Sequence, residues 1–221
     1  MGHAVIAASA IAARAAAIRE RIAAAGGDPD AVVLVAVTKG FPPTLAVAAA
    51  EAGLMDLGEN YAQELVPKVE AVALSGAAPR WHFLGRLQRN KVRQLAAHVT
   101  LWQSVDRASL GAEIARRAPG ASVLVQVNLS GEEQKGGCSP EDASPLVATL
   151  TEMGLAVEGL MGVAPAGDPE DARPGFRWLR AESDRLGLSV CSMGMSADLE
   201  VAVEEGTTMV RVGTGLFGPR A

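Results

Sequence analysis

A lysine sits where a buried strand should end. Residues 31–39 read AVVLVAVTK, with no charge before Lys39. A short β-branched apolar run bounded by turn residues predicts a strand buried on both faces. Gly40, Phe41, Pro42 and Pro43 follow, and proline disfavours helical geometry in the residue before it. The strand should therefore stop near Lys39. At the carboxyl end of a parallel strand, two chemistries are open to it. Its ammonium can be a solvated charge on an apolar stem. Or its amine can be partly desolvated and attack a carbonyl to form a Schiff base.

Three further stretches carry groups that could meet that lysine. Residues 192–196, SMGMS, precede a predicted helix over 197–205, so Ser196 places a hydroxyl at a helix N-terminus, where an anion is favoured. The plain alternative is an N-cap. Gly213-Thr214-Gly215 would let backbone N–H groups approach a phosphate, or would serve only as turn residues. Arg211 lies between Val210 and Val212 in a predicted strand, so it is paired inside or aimed at a ligand. Asn60 and Asn128 leave two other strands as uncharged hydrogen-bonding groups. Arg86, Arg89 and Lys91 form a basic cluster, either functional or a solvated helix start. Residues 213–218 match GxGxxG, but that fingerprint needs a helix and a second strand after it, and the sequence stops at Ala221.

The elements that must hold these residues alternate. Strands are predicted at 31–39, 54–57, 80–84, 99–104, 122–128, 155–161, 188–191 and 208–212. Helices are predicted at 5–25, 43–52, 61–74, 88–97, 175–186 and 197–205, and from Asp106 as N-cap to Ala118. Another starts at Ser139 or Ser144, and Pro67 is an awkward interior residue. About eight βα units in 221 residues predict a closed (β/α)8 TIM barrel, one domain over 1–221. In that fold chemistry gathers on the loops after the strands, and phosphate sites favour those after strands seven and eight.

Composition narrows the class. The chain is 49% hydrophobic but only 4% aromatic, so its core must be built of Ala, Val and Leu, as in parallel sheets. A net charge of −5 argues against a general nucleic-acid binder. Cys138 and Cys191 form no CxxC pair, which suits a reduced compartment, and His3, His82 and His98 lack metal-ligand spacing. The small-residue run at 4–13 lacks the basic start of a signal peptide. Ile6 stands where a myristoylation signal needs Ser or Thr. No apolar stretch reaches the ~18 residues of a membrane span. A cytoplasmic protein, with neither membrane nor nucleic acid as partner, is expected.

Longer matches carry a family resemblance. AVTK (36–39), GENYAQE (58–64), WHFLGRLQRNK (81–91), SVDR (104–107), VQVNLSGEEQKGG (125–137), GLMGVAP (159–165), SMGMSADLEVAVEEG (192–206) and MVRVGTGLFG (209–218) cover nearly the whole chain. Together they resemble the pyridoxal phosphate (PLP) homeostasis proteins, single-domain PLP-binding barrels similar to the N-terminal domain of alanine racemase. The resemblance implies that Lys39 holds PLP, a vitamin B6 cofactor, as a Schiff base. It implies that Ser196, Gly213 and Thr214 hold the 5′-phosphate and that Met195 lies beside the phosphate loop. Arg211 would face the pyridine nitrogen and Asn60 would line the ring.

The implied role is intracellular PLP homeostasis and delivery, with apo PLP-dependent enzymes as partners and no established catalysis. A monomer is expected, since the second domain of alanine racemase has no counterpart here. The alternative is a weak PLP-dependent amino-acid racemase. Against it, Arg211 would keep the ring nitrogen unprotonated, and Tyr61 is the only tyrosine to offer a second base. Lys135, in EEQKGG, either contacts PLP transiently or is solvated, and solvation is expected.

Overall fold

The computed structural model describes residues 6–132, 135–165 and 167–219. Its centre is a closed barrel of eight parallel strands in sequence order: β1 (Val33–Val37), β2 (Asp56–Glu59), β3 (Arg80–Phe83), β4 (Leu101–Val105), β5 (Ser122–Asn128), β6 (Ala156–Val163), β7 (Val190–Ser192) and β8 (Met209–Val212). Closure is made by β8 on β1, with Val33 opposite Met209 and Ala36 opposite Val212. The helices are α1 (Ala8–Ala24), α2 (Pro43–Glu51), α3 (Ala62–Leu74), α4 (Arg89–Leu95), α5 (Ala108–Arg117), α6 (Pro140–Glu152), α7 (Arg173–Arg185), α8 (Leu199–Glu204) and α9 (Thr214–Phe217). The predicted barrel is therefore the observed one. Among the described residues no helix is long and apolar enough to cross a membrane.

The period of two along each strand sorts its side chains. Ala36, Leu57, Trp102, Val123, Val125, Leu160, Cys191 and Val210 belong to the large core packed with the helices. Ile11, Ala15, Ile18 and Ile22 of α1 join it at helical spacing. Val35, Leu101, Leu124, Met161 and Met209 form a separate cluster on the inner face.

Several boundaries differ from the sequence reading. The second strand was expected at 54–57 with Gly58 and Glu59 in its exit loop; it runs Asp56–Glu59. Gly58 belongs to the strand, paired with Val37 and His82, and a Cβ there would lie 2.7 Å from Leu84 and 3.0 Å from Val35. The fourth strand is shifted to Leu101–Val105 and the sixth extends to Val163. Asp106 is not the N-cap of α5: Arg107 holds that position without a side-chain cap, and Asp106 pairs with its guanidinium. Ser139, not Ser144, caps α6, its hydroxyl accepting from Asp142 N. Pro67 and Pro145 are tolerated inside helices because both face solvent, where water can satisfy the freed carbonyl. Residues 1–5 of the N-terminal reading, His3 among them, lie outside the described residues.

Candidate functional site

The carboxyl ends of all eight strands face one way, and a cavity of about 580 Å³ opens among their exit loops. The seven residues that the family resemblance implies for the cofactor all line it: Lys39, Asn60, Met195, Ser196, Arg211, Gly213 and Thr214. Positions up to 175 residues apart are thus gathered by barrel closure alone.

Lys39 lies two residues beyond the end of β1 and is half-buried. The backbone on both sides of it is gripped by one buried polar cluster. Lys68 Nζ of α3 donates to the Thr38 carbonyl (2.8 Å) and to Glu59 Oε1 (2.5 Å). It also reaches Glu64 Oε2 (3.0 Å), and that same oxygen accepts from Gly40 N (2.7 Å). The Thr38 hydroxyl donates to Glu59 Oε1 (2.5 Å). Glu59 and Lys68 are 0% and 1% exposed, so this ion pair is almost wholly desolvated. Glu59 Oε2 has no hydrogen-bond partner among the described residues, and burial pushes the Glu59 carboxyl up despite the pull of Lys68 and Thr38. Phe41, two residues beyond Lys39, meets Phe217 of α9 edge-on at 5.7 Å.

Beside Lys39, where β8 closes on β1, the loops after β7 and β8 are tied together. The Ser196 hydroxyl accepts from Gly215 N (3.1 Å), and Arg211 N donates to the Gly194 carbonyl (3.0 Å). Ser196 is therefore not at a helix N-terminus as expected. Asp198 reaches back to Met195 N (2.6 Å) and occupies the N-cap position, so α8 begins only at Leu199. A Cβ on Gly215 would lie 3.1 Å from Ser196 Oγ, and one on Gly213 3.2 Å from the Val37 carbonyl. A side chain at either position would be tight against its neighbour, and Gly213 and Thr214 line the cavity.

Arg211 is 6% exposed. Its guanidinium donates to Ser192 Oγ (2.7 Å) and to the Gly162 carbonyl (2.8 Å). Burial pulls it down to about 10, which leaves it a cation at neutral pH.

Other expectations divide. Of the basic cluster, Arg86 lines the cavity while Arg89 and Lys91 start α4. Asn128 stays out of the cavity and builds its own loop, donating to Glu132 O and accepting from Ser130 N and Gly131 N. Lys135 is not solvated as expected. Its ammonium donates to the Ala164 carbonyl (2.9 Å), pairs with Glu132 (2.6 Å) and lines the cavity. Its neighbours Glu133 and Gln134 lie outside the described residues. The sequence reading missed Gln126, Met161 and Val163 in the lining. Gln126 carried a signal, being the polar residue within the apolar run of β5.

Comparison with known proteins agrees with this fold. The family described as alanine racemase, N-terminal domain, matches residues 6–221. A pyridoxal phosphate homeostasis protein of Pseudomonas aeruginosa is 42% identical over 214 residues, covering 93% of this chain and 92% of the relative. The chain belongs to the pyridoxal phosphate homeostasis protein family. A second member of the family, from Aquifex aeolicus, is 43% identical over 208 residues, covering 89% of this chain and 90% of its own. The structure of PipY from Synechococcus elongatus with PLP bound matches at a TM-score of 0.79 and 33% identity, over 91% of this chain and 100% of that one.

Proposed function

We propose that this chain binds PLP in the cavity, holds it as a Schiff base on Lys39, and serves intracellular PLP homeostasis rather than catalysis. The observation that carries the reading is the convergence of an amine, a buried guanidinium and a glycine-lined pair of loops on one cavity.

The residues present fit the cofactor. The Lys39 amine is at hand for an aldehyde. Backbone N–H groups at Gly213 and Thr214, with the Ser196 hydroxyl, suit a phosphate. Arg211 would donate to the pyridine nitrogen, while Asn60 and Met195 would flank the ring. When bound, PLP supplies an aldehyde that condenses with an amine, losing water, and a ring that can draw electrons. Arg211 opposes the second of these. It can donate but not accept, so it would leave the ring nitrogen unprotonated and the ring a weak electron sink. Tyr61 is 46% exposed and is not among the cavity residues, so it offers no second base for racemisation. Retention without turnover suits a protein that buffers PLP and passes it to apo PLP-dependent enzymes.

The experiment is an absorbance spectrum of the purified protein supplied with PLP, before and after borohydride, beside Lys39→Ala. A near-ultraviolet or visible band that borohydride abolishes and Lys39→Ala lacks is expected. A protein that stays colourless with PLP would overturn the reading.

A further inference from the structure

A second polar assembly runs through the inside of the barrel, away from the cavity. Arg211 Nη1 donates to Ser192 Oγ (2.7 Å), and Ser192 Oγ donates to Gln103 Oε1 (2.8 Å). Gln103 Nε2 meets His82 Nδ1 (2.7 Å) and Met209 Sδ (3.1 Å). His82 Nε2 meets Asp56 Oδ1 (2.9 Å). Asp56 is the first residue of β2, at the opposite end of the barrel, where its other oxygen accepts from Arg80 (2.8 Å). Ser192 and Gln103 are 0% exposed and His82 2%, and none of the three lines the cavity.

The two ends fix the direction of every bond between them. A guanidinium only donates, and a carboxylate only accepts. Ser192 accepts from Arg211, so its one proton goes to Gln103 Oε1. The amide nitrogen of Gln103 must then face His82, whose Nδ1 is bare. The imidazole proton therefore sits on Nε2 and points at Asp56. All four hydrogen bonds run from cation to anion, an arrangement in which each bond polarises the next. Arg211 itself gives its two hydrogen bonds to neutral oxygens, so the chain connects it to a distant counter-charge.

We propose that Ser192, Gln103, His82 and Asp56 form a positioning relay. It fixes the guanidinium of Arg211 toward the cavity and so sets how tightly a pyridine nitrogen is held there. The inference rests on the PLP reading for its ligand, though not for its geometry.

Two measurements on the full chain test it. Nitrogen NMR of histidine-labelled protein without PLP should show His82 bare at Nδ1 and protonated at Nε2; a protonated Nδ1 overturns the relay. PLP release is then followed by absorbance in a double-mutant cycle of Gln103→Leu with Arg211→Gln. Gln103→Leu strands donors and acceptors at both neighbours, so release should quicken about tenfold and the bound band should move. In the Arg211→Gln background the same change should do almost nothing. Equal quickening in both backgrounds would mean a structural role only and would overturn the proposal. If Gln103→Leu does not fold, Asp56→Asn replaces it in the cycle. Asparagine still accepts from His82 but carries no charge, and about a threefold effect confined to the Arg211 background is expected. A wild-type protein with no PLP band would count against the PLP reading, and the NMR result would still decide the relay.

Discussion

Two buried polar assemblies serve opposite faces of the same sheet, and they handle charge differently. Outside the sheet, beneath α3, Lys68 is neutralised on the spot by Glu59 and Glu64. Inside the barrel, Arg211 is connected to Asp56 only through three neutral side chains. The compact cluster holds backbone, gripping the residues on either side of Lys39. The relay holds a side chain. The lesson is that an apolar barrel can carry a cation in either way, but the local way ties it to stability and the relayed way to orientation. Removing one partner of a desolvated ion pair leaves a bare buried charge, whereas cutting a neutral relay leaves unpaired dipoles.

The largest expected effect therefore lies in the cluster. Lys68→Met should cost about 3–5 kcal/mol in urea unfolding, because Glu59 is left buried and uncompensated. A loss near 1 kcal/mol would erase the distinction between the two assemblies. Next comes the relay. Ser192→Ala removes the acceptor of Arg211 and the donor to Gln103 at a fully buried site, and should cost about 2 kcal/mol by the same measurement. A cost above that of Lys68→Met would reverse the ranking.

Titration separates the two assemblies by sign. Burial raises the Glu59 carboxyl, so the folded chain binds that proton more tightly than the unfolded chain. Stability from Glu59 is thus greatest at low pH and falls as pH rises from the ordinary carboxylate range through its raised one. For Asp56, burial also pushes upward, but donation from His82 and Arg80 prevails and the carboxyl is lowered. Its stabilisation is present above the ordinary range and is lost as pH falls through the lowered one. Unfolding measured across acid to neutral pH should therefore lose its downward slope in Glu59→Gln and its acid-side loss in Asp56→Asn. Slopes of the same sign in both variants would break the contrast.

The fold and the rim of the site were legible because they follow from local rules. The apolar run before Lys39 and the glycine-rich exits of the last two strands each sit within a dozen residues, and strand alternates with helix along the whole chain. The relay was not legible. Gln103 and Ser192 are 89 positions apart, and Arg211 and Gly162 are 49 apart, so only closure and register bring them together. Gln103 gave a faint sign, being a polar position within the apolar strand LWQSV, as Gln126 in SVLVQVN did for the cavity lining. The cluster stayed hidden because Glu59 reads as a loop residue until Gly58 is recognised as part of the strand. Lys135 was misjudged because its partner, the Ala164 carbonyl, is a backbone atom 29 positions away.

Ser196 tests where local legibility ends, and here the smallest effect is expected. Its place at the rim followed from sequence, but its partner did not: the hydroxyl braces Gly215 of α9 rather than capping α8. Ser196→Ala removes one exposed hydrogen bond, so unfolding free energy should change by about 0.5 kcal/mol or less. The informative comparison is between two ligands, PLP and pyridoxal, which lacks the phosphate. If the hydroxyl also meets a phosphate, Ser196→Ala should weaken PLP about threefold and leave pyridoxal unchanged. Equal weakening of both would make Ser196 a strut for α9 alone. The anion site would then be backbone only, built by the close approach of Gly213 to Val37 and Gly215 to Ser196.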